Sequence, residues 1–174
     1  PGRANLKANA NANSLHSPGR AAFEAMERAR RTVARALGAK RPDEIIFTSG
    51  ATEADNAVLF GVVRAVADAK RRAGHAGFTP HVIVSSIEHE AVLQAAHELA
   101  QQGCRVSYLD PDARGFVTAE ALERVIDGDT VLVSVQMANS EVGSIQPVAE
   151  LARIAHDAGA LFHTDAVQAL GKTP

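Results

Sequence analysis

A short segment with the sequence TSGATE, residues 48–53, has the residue types of an anion-binding turn. It follows the apolar run EIIF, and Gly50 allows a tight turn between a strand and a helix. The N–H groups at a helix N-terminus bind phosphate together with the helix dipole, and the hydroxyl group of Thr52 could add a donor. A helix cap without a ligand has a similar composition, so this segment alone leaves both interpretations open.

Two further polar sites follow predicted strands. Asp165 ends the strand in HTDAVQ, and Gln168 lies within the next turn. A carboxylate buried there needs a cationic or donor partner, such as a protonated ring nitrogen, although an aspartate that caps the next turn is the alternative. His89 in SSIEHE could stack on a planar ring and transfer protons, whereas a structural role is the common one for a lone histidine.

The three sites together predict one ligand, pyridoxal phosphate. Its phosphate group would use the TSGATE turn, and its ring would use the histidine and the aspartate. An aspartate that keeps the ring nitrogen protonated strengthens the electron sink on which this cofactor's chemistry depends. No metal site is predicted.

The elements that must position these residues alternate along the chain. Apolar periodicity and Gly or Pro stops predict the helices, and short apolar runs predict the strands. Thr118 is a candidate N-cap, and QMANSEVGSIQP is expected to be a long loop. The predicted helices are 18–39, 53–73, 90–102, 118–126 and 148–158, and the predicted strands are 44–48, 81–86, 104–109, 130–135 and 160–165.

This alternation predicts an α/β fold with a mostly parallel sheet and helices on both faces. The polar segments TSGATE, SSIEHE, MANSE and HTDAVQ all lie at strand ends. In such sheets, ligands bind outside the carboxyl ends of the strands. The coincidence of four polar strand ends is therefore a stronger signal than any one motif.

Composition excludes several classes of function. The chain has 174 residues and a net charge of −2, so one domain is expected and no nucleic-acid or anionic-membrane surface. No apolar stretch approaches the length of a membrane span, and the first twenty residues lack a signal core. Cys104 is the single cysteine, which excludes an internal disulfide and favours a reducing, cytoplasmic compartment.

The motifs also resemble those of a known family. NANSLHSPGR, DEIIFTSGATEADN, SSIEHEAVL, TVLVSVQMANSEVGSIQP and LFHTDAVQALGKTP are similar to segments of the cysteine desulfurases. These belong to the class V aminotransferase group of fold-type I pyridoxal-phosphate enzymes. The resemblance covers residues 11–174 and implies the core of the large, cofactor-binding domain of such an enzyme.

Roles for individual residues follow from this resemblance. It implies that Ala51 and Thr52 bind the cofactor phosphate. It implies that His89 stacks on the pyridine ring and takes part in proton transfer, which makes it the candidate catalytic residue. Asp165 would pair with the pyridine nitrogen, and Gln168 would hydrogen-bond the ring hydroxyl group.

One position departs from the family pattern. The asparagine that faces the cofactor in the family aligns with Ser140, and the asparagine of this chain is one residue earlier, at Asn139. Either residue could face the cofactor. The implied reaction takes sulfur from L-cysteine, leaves L-alanine and an enzyme-bound persulfide, and supplies a sulfur-acceptor protein for iron–sulfur cluster assembly.

The resemblance also implies a division of the chain and a limit on its activity. Residues 1–17 are expected to be an arm, and residues 18–174 a partial pyridoxal-phosphate-binding large domain without the C-terminal small domain. Neither Lys172 nor the other three lysines matches the family's cofactor-anchoring lysine, and Cys104 does not match its sulfur-accepting cysteine. The chain alone is therefore expected to be inactive and to hold the cofactor noncovalently at best.

Two alternatives remain open at this level. The chain could be a non-catalytic remnant or interaction module, or a fragment of a related lyase or aminotransferase, such as a selenocysteine lyase. Since fold-type I enzymes form dimers, a homodimer is the expected assembly.

Overall fold

The structure is a computed structural model that describes residues 10–172. The chain divides after Phe47 into two compact units. In the first unit, α1 (Ser17–Ala36) begins with Pro18 in its first turn, and the His16 side chain accepts the Gly19 N–H at 3.1 Å. The helix agrees with the one predicted at 18–39. Most of the predicted arm, residues 1–9, lies outside the described residues.

The strand predicted at 44–48 is wrong. The structure has a short 3-10 helix, Pro42–Glu44, and residues 45–48 have no regular secondary structure. An apolar run becomes a strand only when a neighbouring strand pairs with its backbone, and no described strand pairs with this segment. Ile46 is consequently 81% exposed.

The second unit is a parallel α/β structure. Its elements are α2 (Ala51–Arg72), β1 (His81–Ser85), α3 (Glu90–Gln101), β2 (Arg105–Leu109), α4 (Ala119–Glu123), β3 (Thr130–Ser134), α5 (Val148–Asp157) and β4 (Leu161–His163). The sheet has the order β2-β1-β3-β4, and all three pairings are parallel. Thr118 caps α4 as predicted, since its hydroxyl oxygen accepts the Ala121 N–H at 3.2 Å.

Helices cover both faces of the sheet, as the sequence predicts. Val82 and Val84 point to one face and pack in a cluster with residues of α2 and α3. Ile83, between them, points to the other face and packs with residues of α4 and α5. The side chains of a strand alternate in direction, so a continuous apolar run serves both layers. The central strands β1 and β3 are buried at every position.

No helix within residues 10–172 is long and apolar enough to cross a membrane.

Candidate functional site

The carboxyl ends of β1, β3 and β4 form one edge of the sheet, which we call the carboxyl edge. It comprises residues 85–89, 136–139 and 163–165. A cavity of about 470 Å³ lies there. Five of the predicted site residues line this cavity: His89, Asn139, Ser140, Asp165 and Gln168.

Sheet topology explains why residues far apart in sequence meet here. β1 and β4 are both parallel neighbours of β3, so the segments that follow the three strands leave the sheet side by side. The placement agrees with the rule that ligands bind beyond the carboxyl ends of parallel strands.

His89 begins α3 as its N-cap. Its Nδ1 atom accepts the backbone N–H of Ala91 at 3.1 Å. Because Nδ1 is an acceptor here, the neutral imidazole carries its proton on Nε2. The helix cap thereby fixes both the tautomer and the position of the ring beside the cavity.

Asp165 is held by its own turn and by the loop after β3. Its Oδ1 atom accepts the backbone N–H of Val167 at 2.8 Å, and its carbonyl oxygen accepts the N–H of Met137 at 2.9 Å. The exposed side chain of Gln168 accepts a hydrogen bond from Lys172 Nζ at 2.7 Å. Lys172 is thus one hydrogen bond from a residue that lines the cavity.

The Asn139 side chain holds the loop that follows β3. Its Oδ1 atom accepts the backbone N–H groups of Glu141 and Val142, both at 2.7 Å. Its Nδ2 atom donates to the carbonyl oxygen of Ile87 at 2.9 Å. Ser140 is exposed and lines the same cavity.

The structure does not bring the predicted phosphate residues into this cavity. Thr52 lines a neighbouring cavity, which shares His89 and Glu90 with the first, and Ala51 lines neither. The turn before α2 is held by Glu53, whose Oε2 atom accepts the backbone N–H of Ser49 at 2.7 Å and its hydroxyl group at 2.6 Å. These hydrogen bonds lower the pKa of the exposed Glu53 carboxyl group.

Two buried carboxyl groups were not singled out from the sequence. Glu88 is 6% exposed, and burial raises its pKa to about 7, an effect to which the charges of Asp165 and Asp55 add. Asp55 is 4% exposed, and its pKa rises to about 6 through burial and the charge of Asp165. Perturbed acids in a cleft are characteristic of functional sites.

A sequence signal for Asp55 was present. It lies four residues before Leu59 and eight before Val63, which are buried positions of α2, so it shares the apolar face of that helix. An aspartate on the apolar face of a helix is buried, which is an unusual environment for a carboxyl group. For Glu88, by contrast, no periodicity distinguishes it from its polar neighbours in SSIEHE.

His163 links β3 to Asp55. Its Nδ1 atom lies 2.8 Å from Ser134 Oγ, and its Nε2 atom lies 3.5 Å from Asp55 Oδ1. Burial lowers the pKa of the imidazole, and the charge of Asp165 opposes that shift. His163 therefore tends to stay neutral, and its contact with Asp55 is not an ion pair at neutral pH.

Polar groups at the carboxyl edge are incompletely paired. Within residues 10–172, the buried side-chain oxygens without a hydrogen-bond partner are Asp55 Oδ2, Glu88 Oε2 and Thr164 Oγ1. Each belongs to this edge or contacts it. Since buried polar groups are nearly always paired in native proteins, by protein groups, water or a ligand, the cluster is a candidate place for a bound ligand.

An open parallel sheet with convergent polar groups at its carboxyl ends defines a ligand-binding α/β protein. Comparison with known proteins gives the family. The chain belongs to the class-V aminotransferases, since the family described as "Aminotransferase class-V" matches residues 4–174.

Individual relatives are cysteine desulfurases. The chain is 42% identical to "Cysteine desulfurase IscS" of Dictyoglomus turgidum over 94% of its own length, and 43% identical to the protein of the same name from Methanosarcina thermophila. It spans 39% and 38% of those two proteins. The sequence resemblance to cysteine desulfurases is therefore confirmed for a part of such an enzyme.

Solved structures agree. A "NifS-like protein" superposes with a TM-score of 0.82 at 41% identity, and the match covers 94% of this chain and 43% of that one. The structure titled "SspA in complex with cysteine" gives a TM-score of 0.82 at 34% identity, with coverage of 94% and 44%. These likenesses confirm the predicted fold class, an α/β core of fold-type I pyridoxal-phosphate cysteine desulfurases.

Proposed function

We propose that this chain is the cofactor-binding part of a pyridoxal-phosphate-dependent cysteine desulfurase, which converts L-cysteine to L-alanine and an enzyme-bound persulfide. The observation that carries the proposal is the cavity at the carboxyl edge, where an imidazole and a carboxylate from separate strand ends converge. The cysteine desulfurase relatives, and the cysteine bound to SspA, support the choice of substrate.

The residues present fit pyridoxal phosphate. A cavity of about 470 Å³ is within the size range of small-molecule sites. The carboxylate of Asp165 uses one oxygen for Val167 N–H, which leaves the second available to a protonated ring nitrogen. The orphaned buried oxygens of Asp55 and Glu88 are further signs of a site built for a ligand.

Each predicted residue has a role in this proposal. His89 would lie against the ring, and its Nε2 atom would be the one to carry a proton, since Nδ1 is engaged by the helix cap. Asp165 would hold the ring nitrogen, and Gln168 would hold the ring hydroxyl group. Ala51 and Thr52 would hold the phosphate at the N-terminus of α2.

The departure at residues 139 and 140 has a structural interpretation. Both residues line the cavity, and the Asn139 amide group is committed on both sides, with Oδ1 to the loop and Nδ2 to Ile87. We infer that Ser140 contributes the side chain that faces the cofactor and substrate, while Asn139 shapes the loop.

Pyridoxal phosphate, when bound, supplies the electron sink that weakens bonds at the carbon atoms of an amino-acid substrate. The chain's own contribution is to bind and orient it and to move the proton at His89. Transfer of the sulfur to an acceptor protein for iron–sulfur cluster assembly, a homodimer and a cytoplasmic location complete the proposal.

The 174-residue chain alone is proposed to be inactive and to bind the cofactor without a covalent bond. Among the described residues 10–172, none that lines the cavity is a lysine. The test is a pyridoxal phosphate titration followed by visible absorbance and then by borohydride reduction. A saturable spectral change that reduction fails to fix to one lysine supports the proposal, whereas the absence of saturation favours a non-catalytic module.

A trapped adduct at a single lysine would contradict noncovalent binding. Lys172 is the residue to examine, because its Nζ atom already reaches the Gln168 side chain. A Lys172→Arg variant keeps the positive charge and removes the reactive amine, so loss of the adduct in this variant would identify it.

A further inference from the structure

Glu88 occupies the centre of a set of hydrogen bonds that joins two segments of the carboxyl edge. Its Oε1 atom accepts the backbone N–H of Gln136 at 2.6 Å and also the hydroxyl group of Ser85. The amide Nε2 of Gln136 donates in turn to the carbonyl oxygen of Ile87. Together with the bond from Asn139 to Ile87, these contacts fasten the turn after β1 to the loop after β3.

The fastened turn is the one that carries His89. Glu88 and Ile87 are the two residues immediately before it, so their positions determine where the imidazole ring can lie. The same loop after β3 is bonded on its other side to Asp165, through the Met137 N–H and the Asp165 carbonyl oxygen at 2.9 Å. The loop is therefore a bridge between the histidine and the aspartate of the proposed site.

The protonation state of Glu88 affects this bridge. Both donors go to Oε1, and Oε2 is buried without a partner, so the proton of the neutral carboxyl group lies on Oε2. Ionisation would leave an unpaired negative oxygen in a buried position, which is costly. It would also add a charge close to those of Asp165 and Asp55.

We propose that Glu88 is a positioning residue for His89, and that the hydrogen bonds it accepts from Ser85 and Gln136 set the distance between His89 and Asp165. The role of His89 rests on the proposed cofactor function, but the bridge itself is a property of the chain without cofactor. The titratable groups near Glu88 are Asp165, Asp55 on α2, His89, and the cavity residues Glu90 and Glu141.

Burial raises the pKa of Glu88 to about 7, so the hydrogen bonds that its Oε1 atom accepts should change as pH passes through neutrality. The first experiment follows the backbone amide signals of Gln136 and Ala91 by NMR in the chain without cofactor, from pH 5 to pH 9. The wild type is expected to show an inflection near pH 7 at the Gln136 amide, which donates directly to Glu88 Oε1, whereas the Ala91 amide reports the position of the His89 cap. Glu88→Gln keeps the Oε1 acceptor and should abolish the inflection while preserving the low-pH signal positions.

Two variants separate positioning from general structural damage. Glu88→Ala removes both acceptor contacts and should shift both amide signals at every pH, with about tenfold weaker pyridoxal phosphate binding. Glu88→Gln should rescue that affinity to within about twofold of wild type. If Glu88→Ala fails to fold, Glu88→Asp, whose shorter side chain cannot reach both donors, replaces it. Glu98→Gln, on the exposed side of α3, removes the same charge as a control.

The outcomes distinguish this proposal from the function on which it rests. Unchanged Ala91 and Gln136 signals in Glu88→Ala or Glu88→Asp, or an inflection of the Gln136 amide that persists in Glu88→Gln, would overturn the positioning role. Amide signals that behave as expected in a wild-type chain that binds no pyridoxal phosphate would support the bridge and refute the cofactor site.

Discussion

The two ends of the same sheet differ in how completely their buried polar groups are hydrogen-bonded. At the amino edge, defined by His81, Ser107, Asp127 and Thr130, the fully buried His81 ring uses both nitrogens. Nδ1 lies 2.8 Å from Thr130 Oγ1, and Nε2 lies 2.9 Å from Ser107 Oγ. At the carboxyl edge, Glu88 and Asp55 are nearly as buried, yet each has an oxygen without a partner among the described residues.

The difference separates stability from function within one layer of structure. A buried polar group with hydrogen-bond partners stabilises one folded state. A buried polar group without a partner costs free energy, which the binding of a ligand can offset. A polar residue is thus not by itself a sign of a site. The unpaired atoms, together with the convergence of His89 and Asp165, are the reason why we propose the carboxyl edge as the functional one.

The largest expected effect is at the amino edge. His81→Ala removes two hydrogen bonds and leaves a cavity, so the free energy of unfolding in urea at pH 8 should fall by about 3 kcal/mol. Ser107→Ala, which removes one of the two bonds, is the matched control and should cost about 1 kcal/mol. Equal, small losses in both variants would mean that this edge is not the tightly paired one.

The contribution of His81 to the free energy of unfolding should depend on pH. Burial lowers the pKa of His81 below its ordinary value of 6.5, so the unfolded chain gains a proton that the folded chain resists. Wild-type stability from this group is present above pH 6.5 and is lost as pH falls below it. The deficit of His81→Ala should therefore be smaller at pH 5 than at pH 8.

At the carboxyl edge, Glu88→Gln should stabilise the protein at high pH, whereas His81→Ala should destabilise it there. The folded-state pKa of about 7 lies above the ordinary 4.5, so the folded protein keeps a proton that the unfolded chain releases. The contribution of this group to wild-type stability is highest below pH 4.5 and declines up to about pH 7. At pH 8 the variant should be more stable by up to about 3 kcal/mol, with little difference at pH 4. A destabilised variant at pH 8 would contradict this account.

Asp55→Asn should act in the same direction to a smaller extent. The pKa of Asp55 is raised from 3.8 to about 6, which is a smaller shift than that of Glu88 from 4.5 to about 7. The nearby charge of His89 opposes the shift of Asp55. The gain in unfolding free energy should appear between pH 4 and pH 6 and persist above. Asp68→Asn, an exposed change later in the same helix, is the control and should show no such gain.

The smallest effect belongs to the surface of the amino edge. Arg105 Nη2 lies 2.6 Å from Asp127 Oδ2, but both side chains are more than 40% exposed. Arg105→Gln should reduce the unfolding free energy by less than about 1 kcal/mol, and added salt should remove the difference. A larger, salt-independent loss would show that the buried His81 network depends on this ion pair.

The sequence predicted most of the fold because local pattern and tertiary environment agree in the second unit. The runs HVIVSS and TVLVSV become strands buried on both faces, and the helices between them begin and end close to their predicted bounds. The run EIIF failed for a physical reason. Apolar composition gives a strand only where a partner strand pairs with it, and strand pairing is not a local property of the sequence.

The site was predictable only in part. His89 and Asp165 were identified because they follow predicted strands, and both line the same cavity in the structure. The position of Asp55 on the apolar face of α2 indicates its burial, but nothing in the sequence marks Glu88. The missing hydrogen-bond partners of both carboxyl groups become visible only in the folded chain. Thr52 lies in a neighbouring cavity that shares His89 and Glu90 with the first, and its role at the phosphate stays a prediction.

The most direct test of the account compares the two edges during ligand binding. Backbone amide signals of the chain would be mapped by NMR as pyridoxal phosphate is added. The account predicts saturable changes at the carboxyl edge and the start of α2, at Thr52, His89, Ser140, Asp165 and Gln168, and none at His81, Ser107 or Thr130. Changes that are absent, unsaturable or spread equally over both edges would contradict the assignment of the carboxyl edge as the cofactor site.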